Sequence, residues 1–252
     1  MNNLIQSEWF KLCRDRSFRA LVLIISASGL FWSIFQYIDH RMDGDAPVTG
    51  IEMWKSALLG NYMMIIGMCV LAGFFISSEY TTGVMKSIAS SGNSRGRIIA
   101  AKQIVFALGS VILGLLFPVI NCVVATLLTG FGELSGESTF LYFIRTLGLL
   151  VLYAAAFASI ATLIATLMAE SGKTIAFTMV FFLFIDMFFA VVGQYISFVE
   201  TIYGYTVFKL LYDIGNVSLY GSLLVRMVVI PVITFVCFGL LSAWVYRRKE
   251  IK

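Results

Sequence analysis

Charge is what this 252-residue chain has least of: Asp, Glu, Lys and Arg together make up 13% of it, against roughly a quarter in a soluble domain. Histidine occurs once, at His40, so no second imidazole is available for a metal site or a proton relay. The four cysteines, Cys13, Cys69, Cys122 and Cys237, show no paired spacing for metal ligands or bridges and are expected to be free thiols. The stretch Ser171-Gly-Lys-Thr174 imitates the end of a phosphate loop, but Leu167 stands where that motif needs Gly and no strand precedes it. These absences exclude ATP binding by this chain and leave it without catalytic machinery or a metal site.

Apolar residues fill the space. They make up 60% of the sequence, and the mean hydropathy is +0.92, an excess that a soluble core does not need. Runs long enough to cross a bilayer as helices recur at about residues 20–38, 57–76, 104–128, 146–168, 174–192 and 223–246. Their lengths suit helices, which satisfy their own backbone, rather than the ten-residue strands of a membrane barrel. The expected fold class is therefore an all-α integral membrane protein, a single domain over residues 1–252. The first run is long and lacks a small-residue cleavage site, so it is expected to stay in place.

Orientation follows from Lys and Arg, which accumulate on the cytoplasmic side. With the N-terminus inside, thirteen of them face the cytoplasm, among them Lys11, Arg14, Lys86, Arg95, Lys102, Lys173 and Arg247; only Arg41, Lys55, Arg145, Lys209 and Arg226 face outward. Both termini are expected in the cytoplasm. The formal charge of +4 is thus a topology signal directed at anionic lipid, and it implies no nucleic-acid partner.

Residues 1–16 place Leu4, Ile5, Trp9, Phe10 and Leu12 among polar residues, a pattern for an interfacial amphipathic helix. The outer connections are short and acidic, with Asp39, Asp43, Glu52, Glu133 and Glu137. Residues 193–222 are semi-apolar and rich in Tyr and Gly, and Glu200, Lys209 and Asp213 make a seventh span too costly; short helices dipping into the outer leaflet are expected. Ala154, Ala155, Ala158, Ala161 and Ala165 form a small-residue face for close helix packing. Pro118 and Pro231 remove hydrogen bonds from the third and sixth spans. Asp186 sits mid-span, where a carboxylate costs roughly 2.5–3.5 kcal/mol on insertion scales, and must be satisfied by the bundle. Asn121, Arg226 or a bound cation are the candidate partners, and Asp186 with Asn121 forms a possible intramembrane polar site, structural or substrate-binding.

The one long inner loop joins spans two and three over residues 78–102. Tyr80, Val84, Met85 and Ile88 recur at helical spacing, so residues 78–89 are expected to form a short amphipathic helix; Ser90–Asn93 break it and Ser94 starts the next. Its apolar face, rimmed by Glu79, Lys86, Arg95, Arg97 and Lys102, needs a partner, either the bilayer or a protein groove.

Glu79, Gly83, the pair Ser94-Arg95 and Lys102 together resemble the signature of type-2 ABC exporter permeases. The N-terminal helix, the six spans, the broken outer segment and the basic end Tyr246-Arg-Arg-Lys249 extend the resemblance over the whole chain. Val84, where relatives often carry Thr, and Ser90-Ser-Gly92, where a Pro is common, depart from the pattern in the manner of bacitracin and lantibiotic self-protection permeases. The resemblance implies that residues 78–89 are a coupling helix seated in a separate cytoplasmic ABC ATPase dimer, with Glu79, Tyr80, Gly83, Val84, Lys86, Arg95 and Lys102 at the coupling site. It also implies a second permease subunit, ATP and Mg held by the ATPase and no cofactor on this chain. The cargo would be an antimicrobial peptide or another amphipathic compound, exported across a bacterial plasma membrane. An ATP-independent channel or carrier, or a membrane sensor, are the rival readings of the same pattern.

Overall fold

The computed structural model describes residues 2–44, 46–59, 61–84, 94–134, 138–217, 219 and 221–249; among them every regular element is helical. Six helices are long and apolar enough to cross a membrane. They are α2 (Arg16–Asp43), the stretch Tyr62–Thr81, α6 (Arg95–Thr129), α7 (Thr139–Met168), α8 (Ser171–Tyr195) and α11 (Ser222–Arg248). The stretch Tyr62–Thr81 consists of α4 (Tyr62–Leu71), a π-helical turn Ala72–Ser77, and α5 (Ser78–Thr81). Among the described residues four shorter helices accompany them: α1 (Asn2–Arg14), α3 (Gly50–Leu58), α9 (Ser197–Tyr203) and α10 (Val207–Asp213). Six crossings return the chain to the face it started from, here the basic face. There α1, α5, the start of α6, the α7–α8 turn and the end of α11 converge.

The second crossing begins at Tyr62, not near residue 57 as the hydropathy predicts. The reason is α3, which takes the apolar residues Ile51, Met53, Trp54, Ala57 and Leu58 into the bundle as a separate amphipathic helix at the far face. Thr49 and Glu52 form its capping box, and the Trp54 indole donates to Thr146 Oγ1 at 2.8 Å. Asn61 then caps the crossing, its carbonyl accepting from the Met64 amide at 3.1 Å. The Asn61 amide group donates to Gly114 O at 3.0 Å. That carbonyl is the one Pro118 orphans in α6 by lacking an N–H four residues on. The proline's missing bond is thus replaced by a side chain from the neighbouring helix.

α6 is 35 residues long, about 52 Å at helical rise, so it projects well beyond a 30 Å hydrocarbon core. Its extra turns at the basic face are packed: Ile98, Ile99, Ala101 and Lys102 are buried. Leu12 of α1 fits against Gly109 of α6, where an added Cβ would lie 3.0 Å from Leu12 Cδ2. Asp15 ends α1 and caps α2, accepting from the Ser17 and Phe18 amides at 2.6 and 3.1 Å. α7 is the central helix, with Ala154, Ala158, Ala161 and Ala165 buried and its main packing against α11 and α6.

The continuous helix expected over residues 78–89 is interrupted. α5 ends at Thr81, and Gly83 adopts φ +73°, a left-handed conformation that stops a helix and suits glycine. Tyr80 therefore turns into the bundle while Val84 is exposed, so the two do not share one apolar face. Residues 85–93, including Lys86, lie outside the described residues.

The π-helical turn is set by close packing on α8. A Cβ on Gly73 would lie 2.4 Å from Ile175 Cγ1 and 2.9 Å from the backbone oxygen of Ser171. Because one obstacle is backbone, Gly73→Ala is expected to destabilise the protein by about 1–3 kcal/mol. The check is the melting temperature in detergent; an unchanged value would mean that α8 shifts away without penalty.

Candidate functional site

Clusters of polar groups interrupt the apolar bundle at both faces. At the basic face, α1 presents Glu8 in phase with Ile5 and Leu12, so an acid lies on the buried stripe of the helix. Lys102 meets it from α6, with its Nζ 2.8 Å from Glu8 Oε2 and 2.8 Å from Glu79 Oε2. Lys11, one turn after Glu8, closes the circuit, its Nζ 2.9 Å from Glu8 Oε1 and 3.3 Å from Glu79 Oε1. The result is a ring of two carboxylates and two ammonium groups in alternation, tying α1, α5 and α6 together. The Lys102 side chain is 0% exposed and Glu8 4%, and the Lys102 ammonium also lies 4.8 Å from the centre of the Phe75 ring.

Burial alone would raise the Glu8 carboxyl, but the charge of Lys102 and hydrogen bonds from Lys102 and Lys11 outweigh it and hold the group below its ordinary 4.5. Lys11 mirrors this. Burial would lower it, yet its hydrogen bond to Glu8 and the charge of Glu79 hold it above 10.5. Such a network adds little net stability over an apolar core, because desolvation offsets the attraction; what it supplies is register. Each partner is correct in only one placement of α1 against the other two helices.

A second set of contacts binds both legs of the loop to the end of α11. Before the loop, Tyr80 packs edge-on against Tyr246 with ring centres 6.2 Å apart. After it, Arg95 Nη1 donates to Arg247 O at 3.2 Å and Lys249 O at 3.1 Å. Lys249 reaches across to the end of α7, donating to Thr166 O at 2.6 Å and Leu167 O at 2.9 Å. Burial pushes the Lys249 ammonium below its ordinary value. Lys249→Met, which leaves those carbonyls uncapped, is expected to cost about 1–2 kcal/mol. Faster hydrogen exchange over residues 163–170 reports it, and unaltered exchange there would refute the cap.

The seven residues expected at the coupling site thus separate. Glu79 and Lys102 are joined in the ring, Tyr80 and Arg95 hold the end of α11, Gly83 supplies the turn, Val84 is exposed, and Lys86 lies outside the described residues. Lys102 is fully enclosed and presents no surface of its own. Sequence reasoning missed Glu8, Lys11 and Lys249. An acid in phase with Ile5 and Leu12 was the available signal for Glu8; Lys249 had none beyond belonging to a basic end.

Towards the far face, Asp186 lies about 22 Å along α8 from Ser171. Its two oxygens accept from Tyr203 and Tyr212, each at 2.9 Å. Asn121 and Arg226, the expected partners, are engaged elsewhere. Asn121 Oδ1 accepts from Ser33 at 2.8 Å and its amide group donates to Phe117 O at 2.7 Å, while the Arg226 guanidinium stacks 4.7 Å from the Tyr205 ring. The proposed Asp186–Asn121 site is therefore two separate sites: Asn121 joins α6 to α2, and Asp186 holds α9 and α10 on α8.

This arrangement follows from the chain folding back at Ile196, so that α9 runs beside α8 with Phe189 and Tyr203 stacked at 5.1 Å. α10 then buries Val207, Leu210 and Leu211 and sets Phe208 against Phe157, Phe181 and Phe182. Tyr142 and Arg145 of α7 hold the next turn, donating to Gly215 O at 2.9 Å and to Asn216 O at 2.8 Å. Burial and the adjacent Asp186 both raise the Tyr203 and Tyr212 phenols, so both are protonated donors. A cavity of about 680 Å³ opens between α8 and α9, lined by Phe189, Gly193, Tyr195, Glu200, Tyr203 and Lys209.

Six apolar crossings, with a helix of the basic face locked to them by a buried ion-pair ring, define a multi-pass helical membrane protein. Over residues 4–185 the chain matches the family described as ABC-2 family transporter protein, and it belongs to that family. No curated protein is significantly similar to it. The match makes this chain a membrane translocation subunit, and the family implies association with an ABC ATPase.

Proposed function

We propose that the chain is the permease subunit of an ATP-driven exporter that removes an antimicrobial peptide, or another amphipathic compound, from the membrane. The observation that carries this reading is the ring of Glu8, Lys11, Glu79 and Lys102 at the root of the loop. Rigid elements with a single register pass a displacement on as a unit, whereas a loosely tethered loop would absorb it. The loop from Glu79 to Lys102 takes up motion of an ATPase dimer, with Val84, which is exposed, as a contact and Lys86 of the same loop as a second. Glu79 and Lys102 pass it to α1 and α6, and Tyr80 and Arg95 pass it to α11.

The basic face is the cytoplasmic face of a bacterial plasma membrane, in keeping with its share of Lys and Arg. ATP and Mg are bound by the ATPase, and a second permease, identical or paralogous, completes the translocation path. The loop's resemblance to bacitracin and lantibiotic self-protection permeases supports a peptide cargo, and Asp39, Asp43, Glu52 and Glu133 at the far face favour a cationic one. The test is ATP turnover by the reconstituted complex. A lantibiotic is expected to raise it several-fold, with the effect abolished by Val84→Asp. Stimulation by lipid or small cations but not by the peptide would overturn the substrate assignment. Solute flux without the ATPase would replace the exporter reading with a channel.

A further inference from the structure

A groove of about 490 Å³ separates the basic-face ends of α6 and α11. Its floor is closely built. Gly239 faces Gln103, where an added Cβ would fall 2.6 Å from Nε2, and Gln103 in turn donates to Phe235 O at 3.3 Å. Ile104, Val236, Leu240 and Ala243 supply the walls. The mouth has a different chemistry. Arg97 and Arg247 both line it, and both are exposed. The Arg247 guanidinium lies against Gly96, where a Cβ would fall 2.8 Å from Nη2, so the two arginines stand on the same rim. Among the described residues neither guanidinium has a carboxylate partner, whereas Lys11, Lys102 and Lys173 all do.

Depth identifies the occupant. From Arg247 to Phe235 along α11 is about 18 Å at helical rise. That compares with about 15 Å for the hydrocarbon of one leaflet, half of a 30 Å core. Trp244, half exposed and carrying the Arg248 guanidinium 4.2 Å above its ring, sets the level of the membrane interface one turn from Arg247. A groove one acyl chain long, in the leaflet of the basic face, with two guanidinium groups at headgroup height that have no carboxylate partner among the described residues, complements an anionic lipid.

We infer that the groove between α6 and α11 is a binding site for an anionic phospholipid of that leaflet, with one acyl chain along Ile104, Val236 and Leu240 and the headgroup phosphate held by Arg97 and Arg247. Because Arg95, two residues before Arg97, holds the end of α11 through its carbonyls, bound lipid braces the same junction from the membrane side.

The experiment uses the full chain in phosphatidylcholine vesicles carrying a small, equal fraction of a photoactivatable phosphatidylglycerol or phosphatidylcholine, with labelled peptides mapped by mass spectrometry. The expected result is labelling of residues 94–104 and 235–247 at least five-fold stronger with phosphatidylglycerol. Unlabelled phosphatidylglycerol should compete and free glycerol phosphate should not. Arg97→Gln with Arg247→Gln is expected to bring labelling down to the phosphatidylcholine level, and Ala243→Trp, which fills the groove, to abolish it for both lipids. Equal labelling by the two lipids in the wild-type protein would mean bulk solvation only and would overturn the proposal. So would competition by free glycerol phosphate, or efficient Ala243→Cys cross-linking between copies with the groove unlabelled. The wild-type comparison decides the matter even if a variant fails to fold.

Discussion

Lys102→Met is expected to destabilise the protein by about 3–5 kcal/mol, a magnitude that reflects stranded charge rather than lost attraction. Without the fully enclosed ammonium, Glu8 and Glu79 keep only Lys11, whose side chain is 39% exposed and sits 2.9 and 3.3 Å from them. Two carboxylates in a largely dry site would then share one wet cation. Removing the whole buried set with Glu8→Gln, Glu79→Gln and Lys102→Met should restore most of the stability, since neutral groups of similar shape cost far less to desolvate than charges. Thermal unfolding in detergent distinguishes the two cases. A triple variant no more stable than Lys102→Met would show that the loss comes from packing around Phe75 instead.

The ring also sets a pH range. Glu8 has a depressed carboxyl, so its contribution is complete above the ordinary 4.5 and is lost as pH falls through its lower native value. Lys11 has a raised ammonium, so its contribution is complete below the ordinary 10.5 and is lost as pH rises through its higher native value. Docking of α1 is therefore expected to be flat between these limits and to loosen at both extremes. Fluorescence of Trp9 on α1 follows it.

The second large effect is expected at Asp186. Asp186→Ala leaves the Tyr203 and Tyr212 hydroxyls without their shared acceptor and removes two hydrogen bonds to a charged group, each worth about 1.5–3 kcal/mol. The expected outcome is release of the α9–α10 cover from α8, seen as faster hydrogen exchange over residues 197–213 with little change in α6 or α7. Asp186→Asn keeps one carbonyl acceptor and should fall between the two. Tyr203→Phe and Tyr212→Phe should each cost less than Asp186→Ala, and the double phenylalanine variant should approach it. Exchange that rises equally throughout the bundle would mean that Asp186 supports the whole fold and not the cover.

The crossings were legible because their signal is local: twenty apolar residues need no knowledge of a partner. Asp186 was legible as an anomaly for the same reason, since a carboxylate in Phe-Leu-Phe-Ile-Asp-Met-Phe-Phe is costly wherever the helix goes. Its partners were not, because Tyr203 and Tyr212 reach it only after the chain turns back at Ile196. α3 was hidden inside an acidic connection, where nine residues with one buried face fall below the span length. The helix break at Gly83 depended on a left-handed φ in a segment whose apolar spacing reads as continuous. Glu79 and Lys102 were marked from the loop signature, but Glu8 and Lys11 complete the ring from a helix more than sixty residues earlier. Spacing along one helix carries no information about such an approach.

The central claim is that the ring passes loop motion into the bundle, and the most direct measurement is peptide-stimulated ATP turnover in vesicles by the assembled complex carrying Glu8→Gln with Lys102→Met. Neither residue lies on an exposed surface, so an effect on ATPase binding is not expected. The account predicts an intact complex with basal turnover near wild type and stimulation lost at least five-fold. Full stimulation, with the complex assembled and the ring broken, would contradict it.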